Sequence, residues 1–192
     1  MTKSVIGAIL LATSFVAGCQ THSQTAEPTL TPVATTTVTD SQGVIPRFTN
    51  DIWPAMEGYR APGQGSPANR RFVAIVDKDL SPDKFTAVRA ANEGLGKVWR
   101  NKDNELEGLA SFPTGDLTLA DTSLTAVDAS KATLQICYTY VAGSYGATIN
   151  DPLIEKPGAS EATVELRKTD NWYLYSITND HVVPGCPASP KA

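Results

Sequence analysis

The sequence predicts an α+β fold, helices first and sheet second. Its hydrophobic period changes once along the chain. Phe85, Val88, Ala91, Leu95, Val98 and Trp99 recur at three and four, as on one face of a helix. Ala132, Leu134, Ile136, Tyr138 and Tyr140 instead alternate strictly with Thr133, Gln135, Cys137 and Thr139, as on a strand with one apolar face. Ala162, Val164 and Leu166 alternate in the same way, and a Thr169-Asp170-Asn171 turn returns them as a hairpin.

The chain has 192 residues, enough for one domain with an N-terminal extension. Residues 1–18 read as an export signal. Lys3 supplies its charge, and the apolar run from Val5 to Val16 is shorter than the roughly 20 residues a membrane-spanning helix needs. Val16, Ala17 and Gly18 directly before Cys19 resemble the lipidation box of bacterial lipoproteins. That resemblance implies cleavage before Cys19, diacylglycerol (usually with an amide-linked palmitate-type chain) on the cysteine, and a domain held on the outer face of the cell membrane. Two or three chains anchor stably where one is marginal. The alternative is an ordinary secreted protein cut near Cys19.

From residue 19 to 43 the chain is threonine-rich, with Pro28 and Pro32 as breakers and no lysine or arginine. No helical or strand period runs through it, so we expect a disordered tether with a reach of about 25–30 Å. The domain is then 44–192.

Within the domain, Val44, Ile45 and Phe48 lead into Ile52, Trp53, Met56 and Tyr59, a short amphipathic helix begun or interrupted at Pro54. A loop rich in glycine and proline, 61–66, follows. Ser66-Pro67 and Ser81-Pro82 are both N-cap and first-turn signals. Phe72, Ile75, Val76 and Leu80 supply the stripe behind the first, and the helix that runs to Trp99 lies behind the second. Gly94 and Gly96 weaken that helix by about 1 kcal/mol each, and close packing is their expected use. Past Asn104, Leu106, Leu109, Phe112, Leu117, Leu119 and Leu124 to Val127 move toward a period of two. The connection 143–160 reads as a long loop with partial docking through Ile149, Leu153 and Ile154. In the last strand, 172–178, alternation places Trp172, Leu174 and Ser176 on one face and Tyr173, Tyr175 and Ile177 on the other. Residues 179–186 read as an irregular closing tail.

Formal charge is −4, and loss of Lys3 with the signal lowers it further, which excludes nucleic acid and an anionic lipid surface as electrostatic partners. With Cys19 lipidated, Cys137 and Cys186 remain as one disulfide pair in an oxidising compartment. Two free thiols, or a metal site with His181, are the rival readings; two cysteines and one histidine are few ligands, and His22 lies in the tether. No metal or other cofactor is expected.

Leu117 to Leu119, Leu124 to Tyr140 with Cys137, and Ala162 to Cys186 resemble the NTF2-like fold, in the form found in small lipoproteins of actinobacterial envelopes. The resemblance implies N-terminal helices packed in a curved antiparallel sheet of about four strands, a cone. Some members are isomerases or dehydratases with an acid and a histidine inside the cone. Here the domain histidine is His181 beside Asp180, and neighbours on an extended segment point opposite ways, so they form no dyad. No catalytic residue is assigned. No phosphate loop, carboxylate pair or nucleophile elbow occurs. Tyr138, Tyr140, Tyr173 and Tyr175 are the candidate lining of an apolar pocket, against plain sheet-face packing. The expectation is a binding or accessory module of the envelope, with a protein partner or an apolar small molecule. An isomerase-like enzyme or a carrier using the cone interior is the alternative.

Overall fold

A computed structural model describes residues 38–59, 65–99, 109–145 and 150–187, all within one compact unit, Thr36–Ala192. The signal, Cys19 and the tether up to residue 37 lie outside the described residues, as do Leu106 and Ile149.

The domain begins earlier than residue 44. Val38 packs against the core, and Asp40 accepts the N–H groups of Val44 (2.9 Å) and Ile45 (2.8 Å), so a carboxylate satisfies two free donors at a helix start. Gln42 accepts from the Trp172 indole N–H through its carbonyl and from Lys168 through its side chain. Residues 38–43, expected as tether, are therefore part of the domain, because one aspartate and one glutamine tie them down.

The helical part opens with α1 (Val44–Arg47), continues as a π-helical stretch, Phe48–Ile52, and ends as α2 (Trp53–Glu57). Proline at position 54 lacks an N–H and would clash with a carbonyl one turn back; the wider π turn directly before it relieves the clash without ending the helix. Then come α3 (Pro67–Ile75) and α4 (Pro82–Gly94), capped by the hydroxyls of Ser66 and Ser81 as expected. The second helix stops earlier than its spacing predicts. Gly96 takes φ +70°, and Val98–Trp99 form β1. Glycine at 96 turns the chain out of the helix.

The sheet is antiparallel and curls into a nearly closed, barrel-like shape. β2 (Leu109–Pro113) and β3 (Thr118–Val127) follow one another along the same edge of β4 (Lys131–Ser144); β5 (Ile154–Lys168) and β6 (Trp172–Val183) lie on the other side. β1 pairs with β2, with Val98 opposite Ser111. The 143–160 connection is strand from 154 onward, since 154–160 pair with 138–144. Pro157 sits where β6 has already ended, an edge position that tolerates proline.

β6 also runs further than expected, so 179–183 are strand. Its faces depart from simple alternation because the register to β5 shifts twice. Leu174 lies opposite Leu166 but Ser176 lies opposite Glu165, which leaves Tyr175 as an extra residue and turns Ile177 inward opposite Val164. The outer edge of β6 is covered in part by a parallel bridge, with the Asp77 N–H donating to the Leu174 carbonyl at 2.9 Å.

The core lies between the helices and the inner face of the sheet. Phe48, Ile52, Phe72, Leu134, Ile136, Leu166 and Leu174 are fully buried there, each contributing about 1.5–3 kcal/mol in transfer free energy. Cys137 lies one residue out of phase, on the outer face, and is bonded to Cys186 with their Cα atoms 5.6 Å apart. The tail after β6 thus crosses outside β5 and is stapled to β4. This is the pairing the cysteine count predicts. Among the described residues no helix is long and apolar enough to cross a membrane.

Candidate functional site

Tyr138 and Tyr140 stand two apart on the inner face of β4, with ring centroids 5.8 Å apart and Tyr138 also 5.6 Å from Trp53. Their hydroxyls point to different partners. The Tyr138 hydroxyl donates to Asp180 Oδ1 at 2.5 Å, and the Tyr140 hydroxyl shares a 3.0 Å hydrogen bond with the buried Ser160 hydroxyl. The second oxygen of Asp180 accepts the Gly96 N–H at 3.1 Å. A turn after α4, a central strand and the last strand therefore converge on one carboxylate.

Glycine makes this convergence sterically feasible. A Cβ on Gly158 would lie 2.6 Å from the Tyr140 ring, and one on Gly96 would lie 2.9 Å from Pro113 and 3.1 Å from the same ring. Tyr140 is thus packed against bare backbone in two places, and the close packing expected of Gly96 has a specific partner.

Burial sets the acidities here. It raises the pKa of Asp180, while the Tyr138 hydroxyl, the Gly96 N–H and His181 oppose the rise. Burial also pushes the Tyr138 phenol far up, reinforced by the Asp180 charge beside it, and raises Tyr140 against the opposing Ser160 bond. Tyr138 is therefore a proton donor at neutral pH and not a base. Asp180 lies at the exposed end of β6, yet both its oxygens are taken by groups of buried residues.

Beside this network, and sharing Asp180 and Ser160 with it, the two ends of the curled sheet face each other across a cleft of about 280 Å³. β1 and the residue before it supply Lys97, Val98 and Trp99 to one wall. Asp180, His181 and Val182 of β6 form the other, with Ser160 at the base. Trp99 is 46% exposed and Val182 53%, so apolar surface stands open beside polar groups. His181 turns away from Asp180, as the alternation predicts: Nδ1 lies 2.8 Å from the Asn179 carbonyl and Nε2 4.0 Å from Glu161.

The four candidate tyrosines do not share a cavity. Tyr173 and Tyr175 sit at the far end of β6 under cations, with Lys78 5.2 Å from the Tyr173 centroid and Arg167 4.5 Å from that of Tyr175. The Lys84 ammonium donates to the Tyr175 hydroxyl at 2.7 Å. Tyr173 is buried beneath its cation and Tyr175 is part-buried, whereas Tyr138 and Tyr140 serve the core and the Asp180 network. Ser160 was missed in the sequence, and so were the roles of the Gly96 N–H and of Trp99, because their partners lie far along the chain. Among the described residues no three His, Cys, Asp or Glu side chains converge as metal ligands. No family model, curated protein or solved structure matches this chain.

Proposed function

We propose that the chain is an extracytoplasmic lipoprotein of a bacterial envelope, anchored through acyl chains on Cys19, whose NTF2-like cone is a binding or accessory module and not an enzyme. The observation that carries the choice of binding over catalysis is the filled interior. Tyr138 is fully buried, Trp53 is 5% exposed and Tyr140 7%, and their rings occupy the concave face where an internal ligand would sit. Asp180 has both oxygens engaged. Recognition then falls to the cleft between the sheet ends, which holds an open aromatic ring and polar groups of both kinds.

Two measurements test this. Native mass spectrometry of protein extracted in mild detergent should give the acylated chain without an internal ligand; a co-purified apolar molecule would move the function to a carrier. Acyl labelling should be lost in Cys19→Ala, and its persistence would remove the anchor.

The raised pKa of Asp180 beside two phenols favours one second reading, proton-transfer chemistry of the isomerase type. It requires turnover that falls in Asp180→Asn or His181→Ala.

A further inference from the structure

We propose that the cleft between β1 and β6 is a saccharide-binding site, with the Trp99 indole as the platform for the apolar face of a neutral sugar ring. The assignment rests on the binding-module reading and specifies its ligand. Position and exposure single out Trp99. Of the three tryptophans, Trp53 and Trp172 are 5% and 2% exposed and belong to the core, whereas Trp99 is 46% exposed at the lip of a concave site. A large aromatic ring left in water beside a cleft offers a stacking surface.

Charge narrows the ligand class. Asp180 disfavours an anion and Lys97 a cation, so neither sign of ligand gains from the cleft as a whole. An acyl chain would cover the Lys97 ammonium and the remaining acceptor capacity of the Asp180 carboxylate with hydrocarbon, taking both charges from water without a new partner. A neutral polyol avoids both penalties. Its hydroxyls donate to Asp180, whose oxygens each accept one bond and have capacity for another, and they accept from the Lys97 ammonium. The ring's apolar face meets Trp99, and its edge meets Val182. A volume of about 280 Å³ is at the small end for ligand pockets, and suits a short glycan unit better than a folded partner.

Indole fluorescence reads this directly, because an aqueous quencher reaches Trp99 and not the two buried tryptophans. Maltotriose, chitotriose and mannotriose are titrated into the full chain in mild detergent with iodide present. At least one should give a saturable blue shift and protect Trp99 from iodide below about 10 mM, and isothermal titration calorimetry, which needs no indole reporter, should show affinity at least about tenfold weaker in Trp99→Ala and largely kept in Trp99→Tyr. Unchanged urea midpoints show that the variants are folded. No saturable response from any of the three overturns the assignment, and so does binding that survives Trp99→Ala. The native mass spectrum separates the two levels. Glycan silence with a bare domain removes the saccharide alone, while a co-purified apolar ligand removes the binding-module reading beneath it.

Discussion

Tyr138→Phe removes a single hydroxyl from a fully buried ring and leaves its packing on Trp53 and Tyr140 in place. Asp180 then keeps only the Gly96 N–H. A hydrogen bond to a charged acceptor contributes about 1.5–3 kcal/mol, and because water at the exposed end of β6 replaces part of it, about 1.5 kcal/mol is the expected loss. In a domain of this size that is a fall of about 3–6 °C in Tm. The pH dependence follows from the direction of the Asp180 shift. Its folded pKa is raised above 3.8, so ionised Asp180 costs stability, and the cost disappears as pH falls through the folded value. The Tyr138 hydroxyl opposes that rise, so its removal enlarges the cost at neutral pH. Once Asp180 is protonated, only a neutral hydrogen bond, about 0.5–1 kcal/mol, is missing. Urea unfolding at about pH 7 and about pH 4 should therefore show a gap between wild type and variant that narrows in acid. An equal gap at both pH values, or no loss at pH 7, would refute the charge-assisted bond. At the alkaline end the linkage has the same sign, since the Tyr138 pKa is also raised on folding. Folded Tyr138 stays protonated while the unfolded chain ionises above about 10, so wild type loses stability there and Tyr138→Phe loses less.

Three further outcomes are expected. Cys137→Ala, Cys186→Ala and the double variant should each lose about 4 kcal/mol in denaturant unfolding, since any of them opens the same 49-residue loop; a double variant clearly worse than either single would show that the thiols act separately. Gly158→Ala should cost about 1–3 kcal/mol, because the new methyl meets a Tyr140 ring that Gly96 prevents from retreating; a neutral result would mean the ring has room to move. Asp40→Ala should cost about 1–2 kcal/mol and fray 44–47 first in hydrogen exchange, whereas unchanged protection of Val44 and Ile45 would deny the cap its role.

The parts of this fold legible in the sequence were those fixed by local chemistry. Ser66-Pro67 and Ser81-Pro82 start helices because a hydroxyl cap and a preset φ act within three residues. The alternation from Ala132 to Tyr140 marks β4 because one face of it is buried by everything else. Features set by distant partners were not legible. The helical spacing of Val98 and Trp99 gave no sign of the strand they form, since Gly96 breaks the helix and β2 captures them. Residues 38–43 look like a coil until Asp40 meets a helix end and Gln42 meets Trp172 and Lys168. The disulfide could be inferred from the count of cysteines, but not that it staples the outer face.

The candidate site depends on one irregularity that alternation conceals. Thr178 lies opposite Thr163 and His181 opposite Glu161, so Asn179 and Asp180 together face the single residue Ala162. Asn179 takes φ +55°, a conformation that asparagine adopts more readily than most residues. Without that extra residue, strict alternation would turn Asn179 inward, put Asp180 on the outer face and bring His181 to the position opposite Ser160. The bulge instead delivers the carboxylate to the Tyr138 hydroxyl and the Gly96 N–H, turns His181 out toward Glu161, and aligns Val182 with Ser160 along the cleft. Asn179 is thus a positioning residue that touches no proposed ligand. The Asp180 network and the β6 wall of the cleft both depend on its left-handed turn, so the site and the strand that carries it are specified by the same residue.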